Sequence, residues 1–467
     1  MDIERRTLKT GALAVVVVAV ATISTSAHAG WEGSAPTVID GTGPAGGRPD
    51  LQFTIATQGF PAPTKINGLA YVDEASNSIR YAQRHVEVGD YLATATWTTE
   101  DVDFPTIFPA VTYDWPALAM DPVTGRPYIV YSIANKLWLA TRVGPGGGNC
   151  GTGLAWQCES ISAACETPVY GLFGKPQVEL GGVFGMEADT VHIVNPGSSL
   201  LDIRKDLEND EWTCTVVPSA STLTAIHGDN YRCDTTSFRH ESDDRIRPQV
   251  AYYGDTWPST PRLTGLIFRS LQLFVDIPVP AWSLEYLVSL LPTSLKLGML
   301  SVARLDDGLA SNAPSHTGFG VPAIASVALQ HVVFDANEAW SCGGLDFLPY
   351  DLEYRVAEEV LGSSWTNSEV AYTGEPCWPS MDIGWGRHPY VTFVEQTTDE
   401  IMVTTRRPGV GWRPAQTVAP NGVMPSIAYD YENGTIAIAY KDIAQFEVAV
   451  VDGIWPQFGG PVGPYSP

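Results

Sequence analysis

Apolar and polar residues alternate in short runs along most of the chain, and one arrangement of those runs recurs. It is clearest in residues 116–142, where PALAMD, a VTG turn, RPYIVYS and KLWLATR are followed by a Gly-rich stretch and Trp156. Period-two alternation bounded by Gly and Asp predicts three antiparallel strands joined by tight turns, and a fourth strand announced by the tryptophan. Residues 379–412 repeat the pattern as PSMDIGWGRHPYVTFVEQTTDEIMVTTRRPGVGW, and residues 425–449 as PSIAYDYENGTIAIAYKDIAQFEVAV. Weaker copies start at Pro49 (with Trp97), Pro176 (with Trp212), Pro322 (with Trp365) and Pro248, the last without a matching tryptophan. The anchoring prolines 49, 116, 176, 248, 322, 379 and 425 are spaced by 67, 60, 72, 74, 57 and 46 residues. Uneven spacing of a constant unit places the variation in the connections, which tolerate insertion where paired strands do not.

A four-stranded sheet with two apolar faces cannot bury both alone. Packing seven of them around one axis does, so the chain is expected to be all-β, a seven-bladed β-propeller of four-stranded antiparallel blades forming one domain over residues 30–467. A right-handed β-helix is the rival; its coils are shorter and lack the hairpin turns read at 121–127 and 430–435. The copy at Pro425 needs a fourth strand. Gly30-Trp31 followed by APTVID supplies a tryptophan-led strand without its first three, and so closes the ring from the N-terminus; the alternative is that Gly453-Ile454-Trp455 serves locally.

Composition agrees with many short strands: 44 Gly and 35 Pro punctuate 467 residues at turn density. With 27 Lys+Arg against 52 Asp+Glu the net charge is -25, which excludes a nucleic-acid partner that needs a basic stripe. Residues 1–29 read as a signal peptide, with a basic start, the apolar run GALAVVVVAVATIST and the cleavage-type Ala27-His28-Ala29, leaving no transmembrane anchor after removal. Arg5-Arg6 leaves general secretion and twin-arginine export both open. The expected location is outside the cell or in the periplasm or envelope. Seven cysteines without a C-x-x-C then predict disulfides rather than zinc or redox chemistry. Cys150–Cys158 across a hairpin, Cys214–Cys233 closing a loop and Cys342–Cys377 are the expected pairs, leaving Cys165 free.

The repeats resemble the PSLALD, G-x-P-h-x-h-x-Y, L-x-Y-A-x-R and G-x-W units of secreted bacterial propellers grouped with sialidase-like and BNR-like proteins. The resemblance covers nearly all of residues 30–455 and implies a scaffold; function has to come from the site. The S-x-D-x-G-x-x-W boxes of sialidases do not occur, and Arg245-Ile246-Arg247-Pro248 is only faintly similar to their arginine motif.

In such a ring the connections entering each module and those between its second and third strands share the channel mouth. That register collects Arg48, Asp73, Glu74, Asp114, Trp115, Lys175, Asp244, Arg245, Arg247, Trp378, Glu395, Lys441 and Asp442. Tryptophans beside charges of both signs suit a glycan or an extracellular polypeptide, because aromatic faces take the apolar side of a pyranose and charged groups take its polar substituents; a merely solvated rim is the plain alternative. The apolar segment 271–294 projects from the same face as a lid, as a partner- or membrane-docking element, or as extra local core. His240, Asp244 and Arg247 are the candidate acid/base cluster for a glycan hydrolase or lyase; a structural envelope protein is the third class. No zinc, P-loop or serine-hydrolase motif is present, and Gly41–Gly46 reads as a linker. No cofactor is expected; calcium at the acidic stretches 206–211 or 240–244 is the one option, without a matching loop spacing. Asn433-Gly434-Thr435 reads as a hairpin turn before a glycosylation acceptor.

Overall fold

The computed structural model describes residues 31–40, 45–73, 75–103, 113–133, 136–161, 165, 176–196, 200–216, 233–240, 245–255, 298–304, 310–318, 323–327, 329–335, 350–357, 365–407 and 409–455. The expected leader, the segment 271–294, Glu74, Lys175, Asp244 and Cys342 lie outside the described residues.

Every described element longer than three residues is a β-strand. After β1 (Glu32–Gly33) and β2 (Thr37–Asp40), the first module is β3 (Ala45–Ala56), β4 (Thr64–Asp73), β5 (Ser78–Glu87) and β6 (Thr98–Asp103). The second is β7 (Tyr113–Met120), β8 (Pro127–Ile133), β9 (Lys136–Arg142) and β10 (Trp156–Ser160). The third is β11 (Gln177–Val183), β12 (Thr190–Pro196), β13 (Leu200–Asp206) and β14 (Glu211–Val216). The fourth is β15 (Cys233–His240), β16 (Arg245–Asp255), β17 (Gly298–Arg304) and β18 (Ala310–Gly318), joined to the third by a short β11–β16 pairing. The fifth is β19 (Ala323–Val327), β20 (Leu329–Asp335), β21 (Tyr350–Val356) and β22 (Glu369–Gly374). The sixth is β23 (Pro376–Gly384), β24 (His388–Glu395) and β25 (Glu400–Arg407), edged by β26 (Gly411–Trp412) and β27 (Gln416–Ala419). The last is β28 (Gly422–Asp430), β29 (Thr435–Asp442) and β30 (Glu447–Ile454). All of the strand pairs are antiparallel.

Two local expectations meet different outcomes. The free edge of β30 is taken by the N-terminal strands, with Thr37 opposite Val450, Val38 opposite Ala449 and Glu32 opposite Ile454. Gly453 and Ile454 are the end of the third strand and not a fourth; lacking a side chain, Gly453 leaves the space over which Trp31 lies. The module holding Pro248 begins one strand earlier than the repeat indicates, because β15 pairs with β16 from Cys233–Tyr252 to His240–Arg245 and puts Pro248 in a second strand.

Both faces of these sheets are apolar, and the buried side chains gather in five clusters, each shared between consecutive modules: first with second, second with third, fifth with sixth, sixth with seventh, and seventh with first. In the last of these, Leu51, Leu69 and Tyr71 pack against Ala428, Val448 and Val450. The first strands are neighbours in the order β28, β3, β7, β11, β15, β19, β23 and again β28.

Polar contacts repeat at the same junctions. The residue after the anchoring proline accepts a backbone N–H from the next module: Ser380 Oγ from Ile427 (3.3 Å), Ser426 Oγ from Leu51 (3.0 Å) and Asp50 Oδ2 from Leu118 (3.0 Å). A basic residue on the third strand meets a carboxylate of the preceding module, as in Arg142–Glu100 (2.7 Å), Lys205–Glu159 (2.6 Å) and Arg406–Glu369 (2.6 Å). Between seventh and first modules Arg84 grips Asp452 with both terminal nitrogens, bonds Asn67 and lies over the Trp97 ring. Lys65, fully buried, joins Asp430 (3.2 Å) and Glu432 (3.0 Å) at the same junction. The motif tyrosine and tryptophan are two halves of one contact: Tyr81 meets Trp156 of the next module edge-on at 5.6 Å, and Tyr354 meets Trp412 at 5.1 Å.

Cys150 and Cys158 form the expected disulfide. Cys165 is not free, and Cys214 does not pair with Cys233: Cys165 and Cys214 are bonded, with Cα atoms 6.1 Å apart, because the outer strand of the third module runs beside the segment leaving the second. A closed loop of 49 residues restrains the unfolded chain by about 4 kcal/mol on the chain-entropy account. Cys377 is also disulfide-bonded.

Removing Arg84 leaves Asp452 buried without its cation. Arg84→Ala is expected to lower the unfolding free energy by about 3–5 kcal/mol, read by urea denaturation; a change below about 1 kcal/mol refutes the role. On β23, Asp382 accepts N–H bonds from Tyr429 (2.8 Å) and Ile383 (2.7 Å), and enclosure between β23 and β28 lifts its carboxyl to about 7. The folded protein then keeps a proton that the unfolded chain releases near pH 4. Stability contributed at Asp382 is therefore full below that pH and is lost as pH rises through 7. Unfolding free energy measured from pH 4 to 7 is expected to fall less in Asp382→Asn than in the wild type; equal slopes refute it.

Candidate functional site

The first strand is an edge of its sheet in the first, second, sixth and last modules, and proline, which has no N–H to give the ladder, is tolerated at such an edge. The ladder re-registers around it. In β23 the pair Trp378-Pro379 stands opposite Phe393 alone, in β28 Met424-Pro425 opposite Tyr440, and in β7 Trp115-Pro116 opposite Tyr131. In β3, Gly47-Arg48-Pro49 stands opposite Tyr71. The motif tyrosine or phenylalanine thus faces a bulge in four modules. Trp378 and Met424 hold φ of 53° and 55°, the left-handed region. For a side-chain-bearing residue that costs roughly 1–2 kcal/mol, and such strain gathers where a side chain has to be re-aimed. All four bulges lie where the first strands begin, the entry end.

Arg48, Asp114, Trp115, Trp378 and Glu395 all belong to this end of their modules, while His240, Arg245 and Arg247 do not. His240 closes β15 opposite Arg245 of β16, so both stand where a first strand ends and a second begins, at the opposite end of the sheet. The extra strand β15 is the reason for the difference: counted from Pro248, the same residues fall at the entry.

Trp378 is half-buried against the cluster shared by the sixth and seventh modules. Glu395 closes β24 with its carboxylate already filled: Tyr372 donates its hydroxyl (2.6 Å), Thr397 its hydroxyl (2.8 Å) and Glu375 its backbone N–H (3.2 Å). Burial, reinforced by the Glu395 charge, raises the Tyr372 phenol and keeps it protonated. This carboxylate fixes the connections around it and has little capacity left for a reacting group. Tyr372 carries no local signal in EVAYTG, where it reads as one more alternating strand residue.

Two other acids of the register, Asp73 and Asp442, are turn caps. Asp73 Oδ1 accepts from Ala75 N (2.9 Å) and Asp73 Oδ2 from Ser76 Oγ (2.7 Å); Asp442 Oδ1 accepts from Ala444 N (2.8 Å) and Gln445 N (3.1 Å). Two acids of the stretch 206–211 are engaged as well. Asp206 caps Glu208 and Asn209, hydrogen bonds that hold its carboxyl below the usual range, and Asp210 pairs with Lys205 (2.8 Å). Among the described residues no three metal-binding side chains converge, and no helix is long and apolar enough to cross a membrane.

No family model matches the sequence, and no curated protein matches it. Solved structures similar in shape include the fucose-specific lectin from Aleuria aurantia (TM-score 0.41, 11% identity, covering 82% of this chain and 98% of that one). The polysaccharide lyase Uly1 gives 0.45, 8%, 84% and 88%, and a Trypanosoma rangeli sialidase 0.41, 10%, 91% and 58%.

Glu395→Ala strips Tyr372, Thr397 and Glu375 of their shared acceptor and is expected to cost about 1–3 kcal/mol of stability in chemical denaturation, with Glu395→Gln recovering part of it. Equal stability of Ala variant and wild type refutes the locking role.

Proposed function

We propose that the chain is an exported seven-bladed β-propeller, closed by its N-terminal strands, that binds a glycan at the entry end of the ring without chemical change. The observation that carries the reading is the bulge repeated ahead of the anchoring proline in four first strands. Around a common axis those bulges gather Arg48, Asp114, Trp115 and Trp378 at one end of the ring, where tryptophans stack on pyranose faces and cations take polar substituents. The cyclic order of first-strand neighbours and the shared seventh-to-first core support the ring. The disulfides suit an oxidising compartment. A saturated Glu395 and the separation of His240 and Arg247 from the bulges favour binding over hydrolysis or lysis.

A glycan array with residues 30–467, repeated with calcium chelated, tests the reading. Binding is expected that is insensitive to chelation and falls at least tenfold in Trp378→Ala, a loss of about 1.4 kcal/mol or more. Absence of binding to any glycan overturns it, and release of reducing ends or unsaturated uronates replaces it with the enzyme reading. Capture of a polypeptide in place of a glycan refutes the ligand class.

A further inference from the structure

We propose that the sixth and seventh modules hold, at the end opposite the entry, a second site for an acidic sugar, with its sulfate or carboxylate group on Arg413 and Arg407 and its ring on Trp31. The place is defined by a pair of side chains that other junctions have and this one lacks. Glu100, Glu159 and Glu369 stand on outer strands opposite Tyr81, Leu139 and Tyr354, and each meets a third-strand cation of the next module. Opposite Val403, the same position of the sixth module, stands Gln416. In the seventh module Gly453 pairs with Ile436 as Lys205 pairs with Val191 in the third, so the cation is missing as well. Half-buried Trp31 lies over Gly453 in its place.

The positive charge at this junction comes from the sixth module instead. Arg407 follows Val403 by four residues, as Val143 follows Leu139. Arg413 donates its backbone N–H to Thr405, which corresponds to Thr141, the strand partner of Gln157. Val143 and Gln157 line the open cleft of about 380 Å³ between the second and third modules, so two arginines occupy cleft-lining positions here. Arg413 has no ion pair among the described residues, and its Nε is buried without a hydrogen-bond partner. Arg407 lies beside it and beside Tyr390, and burial together with the Arg413 charge pushes the Arg407 guanidinium below its usual range. Burial and the charges of Arg407 and Arg406 lower the His388 imidazole in the same corner. In a chain of net charge -25, an arginine that no acid answers, set beside a second one, is unfavourable in the protein alone. An oxyanion that accepts from both guanidinium groups removes that cost, and the planar fork of arginine fits the edge of a carboxylate or sulfate. The indole face beside it takes the C–H side of a pyranose.

Isothermal titration of residues 30–467 at about 0.15 M salt, with a chondroitin sulfate tetrasaccharide, a hyaluronan tetrasaccharide and inorganic sulfate, tests the assignment. Both tetrasaccharides are expected to bind, and at least tenfold more tightly than sulfate. Arg413→Gln is expected to weaken them at least tenfold while raising the melting temperature of the ligand-free protein, because it removes an unanswered charge. Arg407→Gln is expected to weaken them as much, and it decides the matter if Arg413→Gln does not fold. Arg126→Gln removes the same charge from the corresponding end of the second module and is expected to leave the affinities unchanged; an equal loss there reduces the effect to net charge and overturns the site. Trp378→Ala is also expected to change nothing, and a loss in that variant assigns the binding to the entry end and overturns the site. Failure of both tetrasaccharides to bind overturns it, as does binding that persists in the arginine variants. Inorganic sulfate binding as tightly as the tetrasaccharides overturns the sugar as ligand. None of these outcomes depends on whether the entry end binds a glycan.

Discussion

A sheet that is apolar on both faces has to be covered twice, and this constraint organises the molecule. Each described core cluster is built half from one module and half from the next. Burying a large apolar side chain contributes about 1.5–3 kcal/mol, so the dozen or so residues of one junction outweigh any single polar contact across it. No module has an interior of its own to retain if its neighbour is lost. The consequence is sharpest at β30, whose outer edge is completed by strands more than four hundred positions earlier and one of whose faces is covered by the first module. Chain order alone would leave that sheet three-stranded with an open edge, a template for association with other chains.

The polar contacts have a different role. Exposed ion pairs are worth little, and a buried pair roughly balances its own desolvation. What the recurring basic residue of the third strand provides is identity of partner and register: Arg142 finds Glu100, Lys205 finds Glu159 and Arg406 finds Glu369 in one arrangement. A slip of one residue would strand the charge against an apolar face. The residue after the anchoring proline acts in the same sense, since Asp50, Ser380 and Ser426 supply acceptors to backbone N–H groups of the following module. Part of the acidic excess is accounted for by turns. Asp73, Asp121, Asp206, Asp430 and Asp442 each close a hairpin by accepting two successive backbone N–H groups, work for which the short carboxylate is suited and lysine is not.

Alternation and turn residues are local signals, and what depends on them was legible: the antiparallel hairpins, the tryptophan-led outer strands, the N-terminal strand beside β30, and Cys150–Cys158. Assignments needing the distance between modules were not. Cys165 and Cys214 lie 49 residues apart on segments that only the packing of the second and third modules brings together. The fourth module was entered at Pro248 because QVAYY carries the repeat's proline, while its true first strand, CDTTSFRH, has a weaker apolar alternation and no proline. That one-strand offset moved Arg245 and Arg247 to the wrong end of the sheet. Asp73 and Asp442 were drawn into the candidate site because a turn-capping aspartate and a ligand-facing one share the same sequence environment.

Repetition also shows where to look for function. A residue that follows the repeat is explained by the junction it builds: Tyr81 and Tyr354 by their tryptophans, Arg84 and Arg142 by their carboxylates. A junction does not require that aromatic pair, since Leu139, Val403 and Val450 stand at the position of Tyr81 and are buried as well. Trp378 and Met424 hold a left-handed backbone at the same place in consecutive modules, each just ahead of the anchoring proline. That strain re-aims a side chain on the first strand and leaves the strand register and the shared cores intact, which is how a scaffold fixed by its junctions can vary what it presents.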